Sequence, residues 1–346
     1  MKRVLSGMRP TGRLHLGNYL GAAKGMLALQ NDPNFETYFT VVDIHATTTP
    51  FDHTTLRVQA RDVYLDYLSV GLDPEKSAIT LQSDLADLIT QLAFYCSSVV
   101  TVARMQHLPT FKEKVKQYPE HVTMALLNYP VLMAADILIY KASMVPVGID
   151  QEPHLEVARE IARKMNAQYG LDFPEPQRFA TSGEYVPSLT GLGKMSKTVE
   201  GSYINLSDSL DEIKAKLARV PTDSGKGSIQ NPESRSKNQA KVYVNPNSQE
   251  VSGGVGALMR FVELFQGKDR RDAYEQAYQN EGLRYGDLKA ELAEAIYAEL
   301  EPIQQKRKEL ESQPGYVDQV IMQGAQKARV VAEKTVFEVK QKMGLA

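Results

Sequence analysis

One cysteine and no tryptophan occur in this chain of 346 residues. Cys96 alone permits no internal disulfide and no cysteine-based metal site, and it fits a cytoplasmic protein. Long apolar runs are also missing. Apolar stretches such as 125–127 and 131–135 fall far short of the ~20 residues that a membrane span needs, so no membrane partner is expected. Arg3, Arg9 and Arg13 interrupt the N-terminus before an apolar segment develops, and no secretory leader is expected. Neither charge sign is in excess: the formal net charge of −2 excludes a protein that coats nucleic acid nonspecifically. Local basic runs remain, at Lys306-Arg307-Lys308 and along Lys327, Arg329, Lys334, Lys340 and Lys342. They read either as phosphate-facing patches or as solvated helix faces.

Short β-branched or apolar runs alternate with longer helical patterns through the first half. Residues 2–5, 37–42, 78–81 and 144–147 read as strands, and 18–30, 54–70, 86–99 and 151–169 as helices. Such alternation predicts an α/β fold: a doubly wound, Rossmann-like parallel sheet covered on both faces, with ligands at the carboxyl ends of the strands. The strand signal fades after about residue 206. A helix is expected over 208–217, a loop over 221–238, a short strand at 242–244, and helices almost to the end. Pro302 is expected to begin a helix, and Gln313-Pro314-Gly315 to separate the last two long ones. The predicted domains are therefore 1–205 and an all-helical 206–346. The last helix is expected to pack back on the first domain.

Two segments carry chemistry. In the first, Arg9-Pro10-Thr11-Gly12-Arg13-Leu14-His15-Leu16-Gly17-Asn18 leaves the first strand as a turn and enters a helix. Gly17 lacks the Cβ that would keep a purine off the chain, the helix start offers N–H groups to phosphate, and His15 and Asn18 can face one anion. An ordinary helix cap reads from the same residues. In the second, Lys194-Met195-Ser196-Lys197-Thr198 follows Gly191-Leu192-Gly193 in a loop that can close over a nucleotide and place two ammonium groups on pyrophosphate. Alone it is a surface loop with two solubilising lysines; paired with the first segment, it points to ATP activation.

A third segment, 127–140, reads as a helix with Pro130 in its first turn. Tyr129, Met133, Asp136 and Tyr140 recur on one face of it. Asp136 is the only charge there and needs a partner, which is either a substrate N–H or a neighbouring backbone group or arginine.

Written as HLGN and KMSKT, the first two segments resemble the two signatures of the class I aminoacyl-tRNA synthetases. Asn18 and Thr198 depart from the usual residues but keep a polar head and a hydroxyl. The run Tyr129-Pro130 to Leu138, followed by Val145-Pro146-Val147-Gly148-Ile149-Asp150-Gln151 and His154, is similar to the bacterial tryptophanyl-tRNA synthetase family in particular. A thioether at Met133, where the tyrosine-specific relatives usually have Gln, suits an indole face. The missing tryptophan fits a protein whose synthesis does not wait on its own product, although chance explains the absence of a rare residue equally well.

The resemblance implies ATP-dependent attachment of L-tryptophan to tRNA(Trp) through a tryptophanyl-adenylate. It also implies Mg2+ carried mainly by the phosphates, a homodimer, and an anticodon-reading helical domain. Residue by residue, Tyr129 and Gln151 would hold the substrate ammonium, Met133 would pack on the indole and Asp136 would accept its N–H, with Leu5 and His45 either lining the pocket or serving as plain core residues. Arg9 stands where many bacterial members have Gln and would meet the substrate carboxylate or the α-phosphate. Pro10, Thr11, Gly17, Asn18, Gly148, Ile149, Asp150 and Val186 would surround ATP, with Asp150 on the ribose. Lys194, Met195, Ser196, Lys197 and Thr198 would close over the phosphates. Lys114 would reach the phosphates before closure, or else be a solvated helix residue. Lys194, Lys197, His15, Asn18 and Lys114 form the catalytic set, and no protein metal site is implied. Tyrosine activation, an adenylyltransferase that never meets RNA and a non-charging RNA-binding paralogue are the rival readings. The long helical C-terminal part speaks against the second, and the intact Lys194, Lys197, Asp136 and Gln151 against the third.

Overall fold

The computed structural model describes residues 1–179, 185–197, 199–225 and 253–346, with Ile149 described by its backbone alone. The described residues form two compact units: residues 1–13, 22–184 and 307–346 make the first, and residues 14–21 and 185–306 the second. In chain order the elements are β1 (Lys2–Met8), α1 (Leu16–Asn18), α2 (Lys24–Gln30), β2 (Phe35–Val41), α3 (Asp43–Ala46), α4 (Leu56–Ser69), β3 (Ser77–Leu81), α5 (Ala86–Ser97), α6 (Val102–Gln106), α7 (Pro109–Gln117) and α8 (Met124–Ile139). There follow β4 (Met144–Val145), α9 (Glu152–Tyr169), β5 (Gln177–Arg178), α10 (Leu210–Ala218), α11 (Gly254–Gln266), α12 (Lys268–Asn280), α13 (Tyr285–Glu311) and α14 (Pro314–Lys342). The expected strand at 242–244, and the expected loop beyond residue 225, lie outside the described residues.

The first unit is built on a five-stranded parallel sheet in the order β3-β2-β1-β4-β5. Helices cover both faces, so the central strands are buried on both sides; β2 is buried from Thr37 through Val41. Hydroxyls facing across the register stay paired: Thr37 lies 2.7 Å from Ser77 and Thr40 lies 2.9 Å from Thr80. The strand order reverses at β1, which places the crevice of a doubly wound sheet beyond the carboxyl ends of β1 and β4. Arg9 leaves the first of these ends, and Pro146-Val147-Gly148 leaves the second.

Helix α8 starts earlier than the sequence suggests. The Thr123 hydroxyl accepts the Leu126 N–H at 3.2 Å and caps the helix at Met124, so Pro130 lies in the helix interior rather than in the first turn. Burial of the apolar face, from Val131 to Ile139, offsets the hydrogen bond that a proline costs. Pro302 likewise does not begin a helix. It is an exposed residue inside the continuous α13, which buries Leu288, Leu292, Ile296 and Leu300 at i, i+4 spacing. Gln313 and Pro314 do separate α13 from α14.

Helix α14 belongs to the first unit and lies against β3, α5 and α8. Ala328, Ala332, Val336 and Val339 enter the core formed by α5, α8 and α9. Approach to β3 is so close that a Cβ on Gly324 would stand 1.8 Å from the Ile79 carbonyl oxygen. Arg307, at the other end of the connection, is 4% exposed. It donates to the Asp66 carboxylate at 2.8 Å, the Asp62 carboxylate at 2.5 Å and Glu311 at 2.6 Å. The run Lys306-Arg307-Lys308 is therefore not one basic patch: Lys306 and Lys308 are exposed, while the middle guanidinium is buried among carboxylates.

The second unit joins α1 to the segment 185–225 and to α10 through most of α13, around Leu16, Leu20, Val186, Met195, Ile204, Ile213, Leu258, Phe261, Leu292 and Leu300.

Candidate active site

In the second unit the two signature segments meet. His15 N-caps α1 as an extended residue, its ring Nδ1 accepting the Gly17 N–H at 3.0 Å. The Asn18 Oδ1 accepts the His15 backbone N–H at 3.1 Å, which completes a reciprocal cap. Contrary to the sequence reading, the first amides of this helix are not free for phosphate. Leu16 N–H donates to the Ile204 carbonyl at 2.8 Å, Gly17 N–H to His15 and Asn18 N–H to the His15 carbonyl at 2.9 Å. The polar groups left to an anion are side-chain donors: the amide nitrogen of Asn18 and Nε2–H of His15. An imidazole that accepts at Nδ1 carries its proton on Nε2.

The loop from Val186 to Met195 is held as a narrow turn. Met195 N–H donates to the Val186 carbonyl and Ser188 N–H to the Gly193 carbonyl, both at 2.9 Å, and Pro187 bridges Lys194 antiparallel. Gly191 is needed twice: its φ is 76°, and a Cβ would stand 2.3 Å from the Gly254 nitrogen. Met195 is buried while Lys194 is exposed, so the apolar residue anchors the segment that carries the lysines. A Cβ on Gly17 would meet the His15 ring at 2.8 Å and Met195 at 3.3 Å. The missing methyl thus admits the imidazole and the methionine before any purine is considered. Burial, reinforced by the positive charges of Lys197 and Lys194, pushes His15 down to about 4 and keeps it neutral near pH 7. His15, Gly17, Asn18, Lys194, Met195 and Lys197 are brought together; Ser196 is half-buried beside them, and its carbonyl accepts the Ser202 hydroxyl. Thr198 lies outside the described residues.

The first unit holds two polar clusters. In one, Asp136 on α8 is 4% exposed. Its carboxylate accepts from the Gln82 amide at 2.8 and 3.0 Å and from His45 Nε2 at 2.9 Å. Its protein partners are therefore neither an arginine nor a backbone group, and two side chains fix the plane of the carboxylate. Gln82, fully buried, was not singled out from sequence, where nothing distinguishes it. His45, on the short α3 after β2, is buried too, and Leu5 is a buried residue of β1. Met133 is half-buried one turn before Asp136.

In the other cluster, Tyr129 of α8 meets His154 in the first turn of α9. Tyr129 Oη lies 2.6 Å from His154 Nε2, and Gln151 Oε1 lies 3.0 Å from His154 Nδ1. Gln151 Nε2 donates to Asp150 at 2.7 Å. Arg9 carries a guanidinium that burial holds below its ordinary pKa, partly offset by Tyr118 and Tyr129. Its Nη2 donates to Thr49 at 2.8 Å, and its Nε is buried with no hydrogen-bond partner among the described residues. Burial and the charge of Arg9 lower the Lys114 ammonium as well; it donates to Gln117 at 2.9 Å. Lys114 is thus half-buried beside a second cation, unlike a fully solvated helix lysine. An unpaired buried donor flanked by another cation is a place for an anion. Pro10 is buried and Thr11 exposed just beyond β1, and Gly148 is half-buried beyond β4. The Ile149 side chain is not described, and Val186 is buried in the second unit.

Among the described residues no group of three or more His, Cys, Asp or Glu could hold a metal ion, and no helix is long and apolar enough to cross a membrane.

The comparisons with known proteins agree with this geometry. Residues 1–301 match the family model for class I tRNA synthetases (W and Y). A tryptophan–tRNA ligase of Porphyromonas gingivalis is 37% identical over 347 residues, covering 99% of each chain. Tryptophanyl-tRNA synthetase of Campylobacter jejuni, solved with ADP and tryptophan, superposes with a TM-score of 0.81 at 29% identity, over 99% of this chain and 100% of that one. The Mycoplasma pneumoniae enzyme superposes with a TM-score of 0.82 at 27% identity, over 100% of this chain and 98% of that one. A doubly wound sheet, paired HLGN and KMSK segments, and full-length relatives of one name lead to one conclusion: the chain belongs to the tryptophan–tRNA ligase family of class I tRNA synthetases.

Proposed function

We propose that this protein uses ATP to attach L-tryptophan to tRNA(Trp). The meeting of His15, Gly17, Lys194, Met195 and Lys197 in one unit carries this reading, because it gathers donors and two cations suited to a polyphosphate. The substrate carboxylate attacks the α-phosphorus of ATP in line, pyrophosphate leaves, and the 3′-terminal ribose of the tRNA then takes the acyl group from tryptophanyl-adenylate. Positioning and charge stabilisation suffice for such a step.

Lys194 and Lys197 neutralise the leaving pyrophosphate, with His15 and Asn18 donating to phosphate oxygens. Asp136 accepts the indole N–H, Met133 packs on the ring, and Leu5 and His45 complete that pocket. Tyr129 and Gln151 hold the ammonium, Arg9 and Lys114 take carboxylate or phosphate charge, and Asp150 takes the ribose hydroxyls. Pro10, Thr11, Gly17, Gly148, Ile149, Val186, Ser196 and Thr198 complete the nucleotide's surroundings. ATP enters with its Mg2+, which the phosphate oxygens carry.

Residues 1–205 act in this reading as the catalytic domain and 206–346 as the anticodon-reading domain, with α14 returned to the first. A cytoplasmic homodimer completes the proposal. It is supported by the family and by the exposed apolar side chains Phe94, Val102, Val122 and Met124 at the neighbouring helices α5, α6 and α8. Charging of purified tRNA(Trp) with labelled tryptophan tests the reading; acid-precipitable, alkali-labile tryptophanyl-tRNA formed only with ATP present is the expected product, and its absence contradicts the reading.

A further inference from the structure

We propose that His154 is a positioning residue for amino-acid recognition: as the Nδ1–H tautomer it takes the Tyr129 hydroxyl proton in a hydrogen bond at Nε2 and leaves the Tyr129 oxygen as an acceptor for the substrate ammonium. The inference rests on the reading of Tyr129 and Gln151 as the ammonium holders.

The tautomer follows from a chain of four side chains. Asp150 is an acceptor, so the Gln151 group 2.7 Å from it is the amide nitrogen, and Oε1 of Gln151 is the atom that faces His154. That oxygen, 3.0 Å from Nδ1, can only accept; Nδ1 therefore carries the proton. Nε2 is left with its lone pair, and the Tyr129 O–H, 2.6 Å away, donates into it. The Thr110 hydroxyl lies 3.0 Å from the same nitrogen and also reaches the Tyr129 oxygen. A phenol whose proton is committed to an imidazole points its remaining electron density away from the ring, the polarity an ammonium needs. The same chain holds Gln151 with its oxygen inward, where a second lone pair stays available.

The neutral state of His154 is part of the device. His154 is 4% exposed. Burial pushes it down to about 4, opposed by the carboxylate of Asp150 and assisted by His45. The other charged groups felt at this cluster are Arg9 and Glu113, both through Tyr129. A protonated His154 would donate from both nitrogens. Tyr129 would then have to accept from it, and its own O–H would turn outward, donor against the donors of the ammonium. Nothing else on α9 accounts for a histidine here, since its neighbours Leu155 and Val157 are ordinary core residues.

The test compares tryptophan with indole-3-propionate, which lacks only the ammonium, as ligands of the full-length protein, by titration and by inhibition of pyrophosphate exchange. His154→Leu is expected to weaken tryptophan by ~10-fold or more while changing indole-3-propionate by less than ~2-fold. His154→Gln, whose amide oxygen can occupy the Nε2 position, is expected to restore part of the loss. Tyr129→Phe should show the same selective loss, and the double variant His154→Leu, Tyr129→Phe should be no worse than either alone. If the leucine variant does not fold, His154→Asn replaces it, because the shorter amide cannot reach Tyr129 and the same selective loss is expected. Equal weakening of both ligands reduces His154 to a wall of the pocket and overturns the inference, as does unchanged tryptophan binding in a folded variant. If the unmodified protein binds indole-3-propionate as tightly as tryptophan, the ammonium reading itself fails, and this inference falls with it.

Discussion

The Gly17 amide donates to Nδ1 of His15 at 3.0 Å, and the space a Gly17 methyl would fill is taken by the His15 ring on one side and Met195 on the other. One missing methyl therefore lets the HLGN cap and the KMSK loop touch. Exposed Lys194 then rides on buried Met195 rather than on a free tether.

Replacing Lys194 or Lys197 with Ala should slow tryptophanyl-adenylate formation by ~100-fold or more and leave tryptophan affinity nearly unchanged, because their charges act on developing pyrophosphate. Single-turnover kinetics beside equilibrium tryptophan binding separate the two effects. Normal adenylate formation in both single variants would remove the lysines from the reaction.

Asp136→Ala should abolish most of the preference for tryptophan over tyrosine and phenylalanine in kcat/KM, since a pocket built around one buried acceptor rejects ligands that leave it unpaired. Gln82→Leu should act in the same direction but more weakly. It removes one of the two donors that hold the carboxylate plane, while the 2.9 Å bond to His45 remains. An unchanged preference in Asp136→Ala would make this carboxylate purely structural.

What could be read along the chain, and what could not, follows from the range of the interactions. Strand-helix alternation and the HLGN and KMSK segments are local patterns, and each predicted strand start from β1 to β4 lies within two residues of the observed one. Neither interior proline marks a helix start, because Thr123, seven residues before Pro130, decides where α8 begins, and because the buried stripe of α13 carries Pro302 through. Arg307 looked like surface charge beside two lysines; only the tertiary fold shows Asp62 and Asp66, more than 240 positions away, closing on it. Gln82 is silent in sequence for the same reason, and His154, a residue of the motif with no role legible there, gains one only through Tyr129 on another helix.

Arg307→Met should destabilise the protein by about 3–5 kcal/mol, because it removes the cation that faces the buried carboxylate of Asp66, 2% exposed, and that also binds Asp62. Adding Asp66→Leu should recover much of the loss. Thermal unfolding of the three proteins gives the answer, and additive destabilisation would show that the pair does not act as a unit. Lys306 and Lys308, exposed on either side, are the appropriate changes for testing tRNA contact without this folding cost.

Stability should fall with acid below neutrality. His15 and His154 are both pushed down to about 4, chiefly by burial, from an unfolded value near 6.5. The unfolded chain therefore binds protons first as pH falls. The neutral histidines' contribution is fully present above pH ~6.5 and is lost towards pH ~4, by roughly 3 kcal/mol for each at most. Urea titrations across that range should show a shallower pH slope in His154→Gln than in the unmodified protein. An identical slope would place the titration elsewhere.

The central claim is activation of tryptophan by ATP, and pyrophosphate exchange measures it without tRNA. Labelled pyrophosphate should enter ATP when tryptophan is supplied, with tyrosine at least ~100-fold less effective in kcat/KM, as expected of a pocket that reads one buried N–H. Exchange driven by tyrosine at a comparable rate, or no exchange with tryptophan at all, would contradict the account.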